Sequence, residues 1–438
     1  MNTDIERRTG ADQGPMIDLL IGDPQDASPA WFRDGLVDAL ARPEVDRYPD
    51  KSGSLRLRKE LANDYARECG IELDPRTDVC VTSGAWDGIY GALRALELPG
   101  GRVGYFAPNF FGIPTVIAAA GMIPVPIQLS VMGEPKLYLA DAFRHLDVFI
   151  HVDPHNPTGR IFTHEENAAI ADVCRWRGIK VLSDRVYKHL FDDTPPESFL
   201  THEPEALEVW SFSKSYRMAG WRLGCLLGHG PWMARAHLRQ ASAGNGVVVA
   251  TQLAATRFAG GHGERETWRM ELRSRRKRLT TGLTDLGFGV DPGGNRATNF
   301  IWARIPDRCA SARELAACLA QTGVSLLEGG KCGADDDRHV RIALNFGVDV
   351  LSEALNRIGA ALDHPNEVAK WLRLICAAVP SSNGGPFLSL RSSWPAGRVV
   401  TPQQWRPTFS SSRCLGSSDP IARRRSIPCR PRRSRTQG

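Results

Sequence analysis

The sequence has no apolar run as long as 18 residues, so it predicts no membrane-spanning helix. Its first 15 residues, MNTDIERRTGADQGP, lack the apolar segment of a secretory signal. The ten cysteines include no CxxC pair, which argues against a disulfide framework and against a cysteine zinc site. His151 and His155 have Pro154 between them, which breaks the helix that such a pair of metal ligands would need. We therefore predict a cytoplasmic protein with reduced thiols, no membrane partner and no bound metal.

Positive charge is concentrated at the C-terminal end of the chain. Residues 381–438 contain 11 arginines, no lysine and one acid, a net charge of +10. The whole chain has a net charge of +6, so the difference leaves −4 for residues 1–380, as in an ordinary soluble enzyme. The tail is rich in Ser, Pro, Gly and Arg without apolar periodicity, which predicts disorder. Its arginines could contact nucleic-acid phosphates, but we favour a solvated tail, and nucleic acid is not an expected partner.

Seven short apolar runs occur between residues 79 and 228, separated by helix-length segments or turns. They are DVCVTSG, RVGYFAP, IPVPIQL, DVFIHVDP, IKVLSD, LEVWSFS and RLGCLLG. Apolar runs of this length between helical patterns are typical of buried strands. The pattern predicts an α/β fold in which a mixed, mostly parallel sheet forms the middle of three layers.

A second group of elements follows residue 285. Its predicted strands are NFIWARIP, VSLLEG and HVRIALNF, and its predicted helices are SARELAACLAQTG and LSEALNRIGAAL. Together with the N-terminal segment, residues 1–45, this part, residues 285–365, is expected to form a smaller α+β domain. Residues 46–284 form the larger domain in this scheme, and residues 366–438 form an extension that includes the basic tail.

One lysine stands among serines in the stretch SFSKSYRMAGWRLG. The predicted strand LEVWSFS leads directly into Lys214, which places the amine at the sheet edge where open α/β sheets bind ligands. Arg222 follows eight positions later, and a nearby cation makes a lysine amine a better nucleophile toward an aldehyde. Ser211, Ser213 and Arg222 can all donate to a phosphate. An aldehyde that carries a phosphate indicates pyridoxal 5′-phosphate as the cofactor.

Polar residues at other strand ends suit the ring of such a cofactor. Asp184 ends the run KVLSD, and a carboxylate there can pair with the pyridine nitrogen to make the ring an electron sink. Tyr187 follows three residues later, and Asn156 lies in HNPTG after another strand, so both can reach the ring oxygen.

Two further motifs suit the phosphate and the ring face. TSGAW ends a strand in a glycine turn that opens a helix, so the N–H groups of Ala85 and Trp86 can bind a phosphate. FAPNFFG offers Phe110, or alternatively Phe111, to stack on the ring.

The motifs SGAW, APNF, HNPTG, SDRVY, SFSK and GWRLG occur together in one order. In that order and spacing the chain, over residues 15–363, resembles the class I/II aminotransferase family of fold-type I pyridoxal phosphate enzymes. The resemblance implies that Lys214 is the Schiff-base lysine, that Asp184 pairs with the ring nitrogen and that residues 46–284 bind the cofactor. The further cofactor contacts that it implies are Ala85, Trp86, Phe110, Asn156, Tyr187, Ser211, Ser213 and Arg222.

The resemblance also implies a homodimer with shared active sites. Tyr48, in RYPDKSG, resembles the tyrosine that reaches the phosphate of the neighbouring subunit. Arg341, in HVRIALNF, resembles the arginine that binds the substrate α-carboxylate, with Asn156 beside it. Gly22, in IGDP, resembles the N-terminal glycine whose backbone closes over the substrate.

Arg185 departs from the family pattern, because an acid usually follows the ring-pairing aspartate. Alternate residues at a strand end face opposite ways, so we expect Arg185 to point away from the cofactor and to form an ion pair beneath the sheet. The alternative is that Arg185 marks a changed substrate preference.

The activity implied is transamination between an L-amino acid and a 2-oxo acid by ping-pong chemistry, in which Lys214 moves the Cα proton. The same residues also support elimination, cyclisation or oxidation of an amino acid. A third alternative is a regulator that uses this fold to sense a ligand. Such regulators carry a helix-turn-helix module ahead of the enzyme-like part, where only about fifteen residues stand here. The motifs do not encode the substrate side chain.

Overall fold

A computed structural model describes residues 15–133, 136–243, 246–291, 294–334 and 337–363. Its strands are β1 Ile17–Asp18, β2 Val79–Thr82, β3 Arg102–Ala107, β4 Ile123–Gln128, β5 Val148–Val152, β6 Lys180–Asp184, β7 Leu207–Ser211, β8 Gly224–Gly228, β9 Gly289–Val290, β10 Phe300–Arg304, β11 Val324–Ser325, β12 Leu327–Glu328 and β13 His339–Ala343. Its α-helices are α1 Ala30–Leu40, α2 Leu55–Cys69, α3 Gly84–Arg94, α4 Gly112–Ala119, α5 Lys136–Ala142, α6 His164–Arg177, α7 Phe212–Ser215, α8 Gly230–Ala243, α9 Val249–Ala255, α10 His262–Asp285, α11 Ala312–Gln321 and α12 Val348–Asp363. All seven apolar runs form strands, β2 to β8, as predicted.

Strands β2 to β8 form one seven-stranded sheet in the order β2-β8-β7-β6-β5-β3-β4. The strands from β4 to β7 in this order are parallel, whereas β8 pairs antiparallel with both β7 and β2. β2 therefore runs in the same direction as the parallel strands. The predicted mixed, mostly parallel sheet is confirmed, and the C-terminal ends of β2, β3, β5, β6 and β7 lie along one edge.

Side chains of each strand alternate between two faces of this sheet, and helices cover both faces. On one face, Ile150 of β5 and Val209 of β7 pack with helices α3, α4 and α8. On the other face, Phe149 of β5 packs with α5 and α6, and Trp210 of β7 packs with α2 and α9. Neighbouring residues of one strand thus enter different cores, which is the predicted three-layer arrangement.

A four-stranded antiparallel sheet, in the order β12-β13-β10-β9, forms a second centre of packing. Ile301 of β10 lies in one core with Leu279 of α10 and Leu355 of α12. Strand β1 pairs in parallel with β11, with Ile17 opposite Val324. The N-terminal strand therefore pairs with an element from the C-terminal part.

Capping residues set the start of helix α6 and the ends of helices α2 and α6. Thr163 Oγ1 accepts from the Glu166 N–H at 3.2 Å, and the Glu166 carboxylate accepts from the Thr163 N–H at 2.9 Å, a reciprocal cap that starts α6. Helices α2 and α6 end at Gly70 and Gly178, whose φ angles of 66° and 70° favour glycine.

Arg185 forms the predicted ion pair, which is deeply buried. Its Nη1 lies 3.4 Å from Glu208 Oε2, and the two side chains are 2% and 0% exposed. Arg185 Nη2 also donates to the Pro196 carbonyl at 2.8 Å. Glu208 Oε1 accepts from the Ser198 hydroxyl at 2.9 Å and from the Phe199 N–H at 2.6 Å. Buried charges need such partners. The ion pair and these hydrogen bonds therefore attach the segment that contains Pro196, Ser198 and Phe199 to the end of β6 and to β7.

Residues 364–438 lie outside the described residues, and the predicted disordered tail lies there. Within the described ranges, no helix combines the length and the apolar character needed to cross a bilayer.

Candidate active site

Five segments converge at the C-terminal edge of the central sheet, and each follows one strand. They carry Ala85 after β2, Phe110 after β3, Asn156 after β5, Asp184 at the end of β6 and Lys214 after β7. Because these strands share one direction, their chemistry meets at one edge, as expected for a ligand site of an open α/β sheet.

Lys214 lies in the short helix α7, directly after β7. Ser211 caps this helix, since its Oγ accepts from the Ser213 N–H at 3.0 Å. Trp268 Nε1 donates to the Lys214 carbonyl at 3.2 Å, and Lys214 Nζ donates to the carbonyl of Gly22. The structure therefore brings Lys214 and Gly22 together across almost the whole N-terminal half of the chain.

The surroundings of Lys214 favour its neutral amine. Burial lowers the pKa of the Lys214 ammonium to about 8, and the charges of Arg341 and Arg222 also lower it, while Asp23 opposes them. An amine that releases its proton near neutral pH can act as a nucleophile or as a base.

Hydroxyl groups and a guanidinium lie between β7 and the start of α3. The Oγ atoms of Ser211 and Ser213 are 2.7 Å apart, and Arg222 Nη2 donates to the Ser83 carbonyl at 3.2 Å. Gly84 has a φ of 78°, and a Cβ there would collide with the Arg222 guanidinium. A glycine is therefore needed for the guanidinium to lie against this turn.

The start of helix α3 completes this group. The helix begins at Gly84, so the N–H groups of Ala85 and Trp86 belong to its first turn, where backbone donors have no carbonyl partner within the helix. These donors and the helix dipole favour an anion. Together with the serines and Arg222, they suit a phosphate.

Two aromatic rings flank the same edge. Trp86 and Phe110 have ring centroids 6.3 Å apart at an interplanar angle of 80°. Phe110 is half-buried, whereas Phe111 is 48% exposed, so Phe110 is the better placed of the two predicted alternatives. Asn109, which the motifs did not single out, accepts from the Phe110 N–H at 2.7 Å and donates to the Phe106 carbonyl at 2.8 Å. It thereby holds the backbone that presents Phe110.

Asp184 is buried at the end of β6. Its Oδ1 accepts from the Val186 N–H at 3.1 Å. Burial raises the pKa of the Asp184 carboxyl to about 7, and the Val186 hydrogen bond offsets only part of this rise. An opposite charge in contact would stabilise the carboxylate, so this position suits a protonated ring nitrogen.

Hydrogen bonds link three of the predicted residues. Arg341 Nη1 donates to Asn156 Oδ1 at 3.2 Å, and Asn156 Nδ2 donates to Tyr187 Oη at 3.2 Å. Because Tyr187 accepts through its oxygen, it retains its own proton to donate to another group. This series of hydrogen bonds links Arg341, which is expected at the substrate carboxylate, to Asn156 and Tyr187, which are expected at the ring oxygen.

The guanidinium of Arg341 has an N–H group that can still bind an anion. Its guanidinium lies 4.0 Å from the centre of the Phe300 ring, and Nη2 donates to the Leu20 carbonyl at 2.9 Å. Its buried Nε has no hydrogen-bond partner among the described residues. A carboxylate can take two N–H groups of one guanidinium, which would satisfy this donor.

Gly22 packs against residues that the sequence motifs did not indicate. A Cβ at Gly22 would collide with the Phe300 ring and would lie 2.9 Å from Asn299 Nδ2. Asn299 is fully buried, and neither atom of its amide has a partner in the described part of the chain. Asp23, the next residue, acts on the pKa of Lys214. No local pattern distinguishes these residues, and only their spatial neighbours identify them.

Tyr48 lies apart from the other predicted residues within one chain. Its side chain is 88% exposed, and no hydrogen bond or ring contact among the described residues joins it to them. The role assigned to it requires a second subunit and stays a prediction.

His151 and His155 are buried near the turn after β5. His151 Nε2 lies 2.9 Å from Asn167 Oδ1, and His155 Nδ1 lies 2.9 Å from Thr158 Oγ1. Burial lowers the pKa of each imidazole to about 3, so both are neutral near pH 7. They help to pack the turn that presents Asn156.

Comparison with known proteins agrees with this geometry. The family model for aminotransferase class I and II matches residues 14–358. The chain belongs to this aminotransferase family. It is a pyridoxal phosphate-dependent enzyme that transfers amino groups.

Named relatives cover most of the enzyme. It is 30% identical to LL-diaminopimelate aminotransferase of Nitratidesulfovibrio vulgaris strain DP4, over 78% of this chain and 90% of the relative. The solved N-succinyldiaminopimelate aminotransferase of Mycobacterium tuberculosis is 28% identical, with a TM-score of 0.73 over 79% of this chain and 93% of that one. The aromatic aminotransferase of Pyrococcus horikoshii is 26% identical, with a TM-score of 0.75 over 80% and 96% of the two chains.

The residues of the site fit the cofactor of the family. A buried carboxylate, the Tyr187 hydroxyl and the Lys214 amine are the types of group that a ring nitrogen, a ring oxygen and an aldehyde need as partners. The glycine at residue 84 leaves space for the Arg222 guanidinium beside the start of α3, which suits the phosphate. The donor set thus matches every polar group of pyridoxal phosphate.

Proposed function

We propose that the enzyme moves an amino group between an L-amino acid and a 2-oxo acid, and that Lys214 performs the proton transfer. The observation that carries this proposal is the position of the Lys214 amine. It donates a hydrogen bond to the Gly22 carbonyl, and Arg341 Nη2 donates to the Leu20 carbonyl of the same N-terminal segment. A substrate carboxylate held by Arg341 would therefore place its Cα near this amine.

In this proposal, each residue of the site has its own task. When bound, pyridoxal phosphate supplies an electron sink for the bond that breaks at the substrate Cα. Asp184 would hold the protonated ring nitrogen of the bound cofactor, and Tyr187 would hold its ring oxygen. Lys214 Nζ would remove the proton from the substrate Cα and later return a proton, which requires a base within hydrogen-bond reach. Arg341 and Asn156 hold the substrate carboxylate meanwhile.

The names of the relatives indicate which substrates to test first. Several are aminotransferases of LL-diaminopimelate or of N-succinyldiaminopimelate. Both are amino acids with a long side chain that ends in polar groups. We propose a substrate of this class, and a screen of amino donors against 2-oxoglutarate with mass-spectrometric detection would test it. A strong preference for aromatic donors would contradict it.

Arg341→Ala is expected to raise the KM of the amino acid about 100-fold or more, because two charge-assisted hydrogen bonds to the carboxylate are lost. Cofactor affinity should change much less, since Arg341 is expected to contact the substrate and not the cofactor. The KM of Arg341→Lys should lie between those of the wild type and Arg341→Ala, because lysine keeps the charge but not the forked geometry. Arg304→Ala, an exposed arginine on β10, is the matched control and should leave KM unchanged. Equal losses of cofactor and substrate affinity in Arg341→Ala would contradict this assignment.

We also propose a homodimer in which Tyr48 reaches the phosphate of the neighbouring subunit. Its side chain is 88% exposed in one chain and is available to a partner. Sedimentation of the enzyme should give twice the chain mass of 48.1 kDa. Tyr48→Phe should weaken cofactor binding without changing that mass. A monomer with full activity would exclude shared sites.

The two centres of packing support the proposed division into domains. Helix α10 ends at Asp285, next to the proposed boundary, but its residues Trp268, Leu279 and Leu283 lie in the core of the C-terminal elements. The helix therefore precedes the boundary proposed at residue 284 in the sequence but packs with the elements that follow it. The proposed boundary divides the sequence and does not divide the two cores. The cytoplasmic location also stays a prediction.

A further inference from the structure

We propose a site for a divalent transition metal such as Zn²⁺, formed by His164, Glu197 and His202 away from the catalytic residues. One ligand atom from each residue lies within 4.8 Å of the others. His164 Nδ1 is 3.2 Å from Glu197 Oε2, and His202 Nε2 is 2.8 Å from the same oxygen. Neighbouring ligand atoms around tetrahedral zinc are about 3.3 Å apart, given bonds of about 2.0–2.1 Å. Small side-chain movements would therefore let all three reach one ion.

The backbone holds both histidines in place. His164 is the first residue of α6, directly after the reciprocal cap between Thr163 and Glu166. The carbonyl of His202 accepts from Arg175 Nη2 at 2.6 Å. Two ligands on fixed backbone lose little freedom when they bind a metal, which favours binding.

Glu197 is held from beneath by the buried ion pair. Its neighbour Pro196 accepts from Arg185, and its other neighbour Ser198 donates to Glu208. The departure of Arg185 from the family pattern thus has a structural consequence, because it attaches the loop that presents Glu197.

The cluster has the open side that an added ion needs. The side chains of His164 and Glu197 are 67% and 44% exposed, whereas that of His202 is 5% exposed. An ion can enter from solvent, and water can complete its coordination. Histidine nitrogens and a carboxylate are the ligands that zinc prefers after thiolates.

A second cluster with a histidine, formed by Asp64, Glu68 and His189, is a poorer site. Lys188 Nζ lies 2.8 Å from Glu68, so an ammonium already neutralises this carboxylate. In the His164–Glu197–His202 cluster, the Glu197 carboxylate contacts the two histidines, and no ammonium or guanidinium in the described part of the chain pairs with it. Neutral imidazoles would leave its charge for a metal.

The test measures Zn²⁺ uptake by the cofactor-loaded enzyme in competition with a chromophoric chelator. The variants are His164→Ala and Glu197→Gln, both at exposed positions, and the matched control is His145→Ala, an exposed histidine elsewhere. Thiols and bound cofactor are the same in all four proteins, so their Zn²⁺ binding cancels in the comparison. Melting curves without metal check that every variant is folded.

The wild type and His145→Ala are expected to bind one Zn²⁺ more per chain than His164→Ala and Glu197→Gln. Loss of a direct ligand should weaken affinity at this site by more than about 100-fold, the upper range for loss of a supporting residue. Zn²⁺ should also raise the melting temperature of the first two proteins more than that of the other two. Equal uptake and equal melting shifts in all four would overturn the proposal and leave an ordinary surface ion pair.

Discussion

Lys214→Ala is expected to lower turnover by at least about 10⁴-fold, the upper end of the contribution of a single general base. The variant loses the only amine that the proposal places at the substrate Cα. The measurement is kcat with the best donor from the wild-type screen, together with exchange of the donor Cα hydrogen in D₂O. Both should fall together, because proton transfer is the step that is removed.

A matched variant and a rescue experiment separate chemistry from folding. Lys59→Ala changes an exposed lysine on α2 and should leave both rates unchanged. A small primary amine in solution should restore part of the lost rate to Lys214→Ala, since it can occupy the vacated space and act as the base. Hydrogen exchange at the wild-type rate in Lys214→Ala would remove Lys214 from its role.

Asp184→Asn is expected to lower turnover by about 10²–10³-fold, the usual cost of removing one preorganised electrostatic partner. Asparagine keeps the shape of the side chain but has no charge to stabilise a proton on the ring nitrogen. Some cofactor should still bind, because the phosphate group, Lys214 and Tyr187 are unchanged. Turnover and bound cofactor are measured on the same preparation, so that the two losses can be compared.

Asp153→Asn is the matched control for Asp184→Asn. Asp153 is also buried, and burial raises the pKa of its carboxyl to about 7, like that of Asp184. Its Oδ1 accepts from the Phe162 N–H at 3.3 Å, and no role at the cofactor is proposed for it. Turnover should fall far less in this variant. Similar losses of turnover in Asp153→Asn and Asp184→Asn would show that each buried carboxylate acts only through the stability of the fold.

The central sheet could be predicted because its strands are buried on both faces. Such strands are continuous apolar runs, and the helices between them impose parallel connections. Lys214, Asp184 and Asn156 could be predicted for a related reason, since each lies at the end of one of those runs or shortly after it. The order of the motifs then supplied the family.

The remaining features depend on contacts between distant segments. The hydrogen bond between Arg341 and Asn156 joins residues 185 positions apart. Asn299 is distinguished only by its buried, unpaired amide next to Gly22. His164 comes together with Glu197 and His202 because one begins a helix and the others lie in a loop anchored by Arg185. No local periodicity records such contacts. The family resemblance placed Asn156 beside Arg341, but neither Asn299 nor the His164 cluster could be found in that way.

The fate of the amino nitrogen distinguishes transamination from the other reactions that this site could support. The cofactor-loaded enzyme is given one ¹⁵N-labelled amino donor and an unlabelled 2-oxo acid, and all products are analysed by mass spectrometry. For a transaminase, we expect the label to appear in the new amino acid in a one-to-one ratio with the oxo acid formed from the donor, and we expect Lys214→Ala to abolish this transfer. Release of the label as ammonia, as elimination or oxidation would produce, would contradict it.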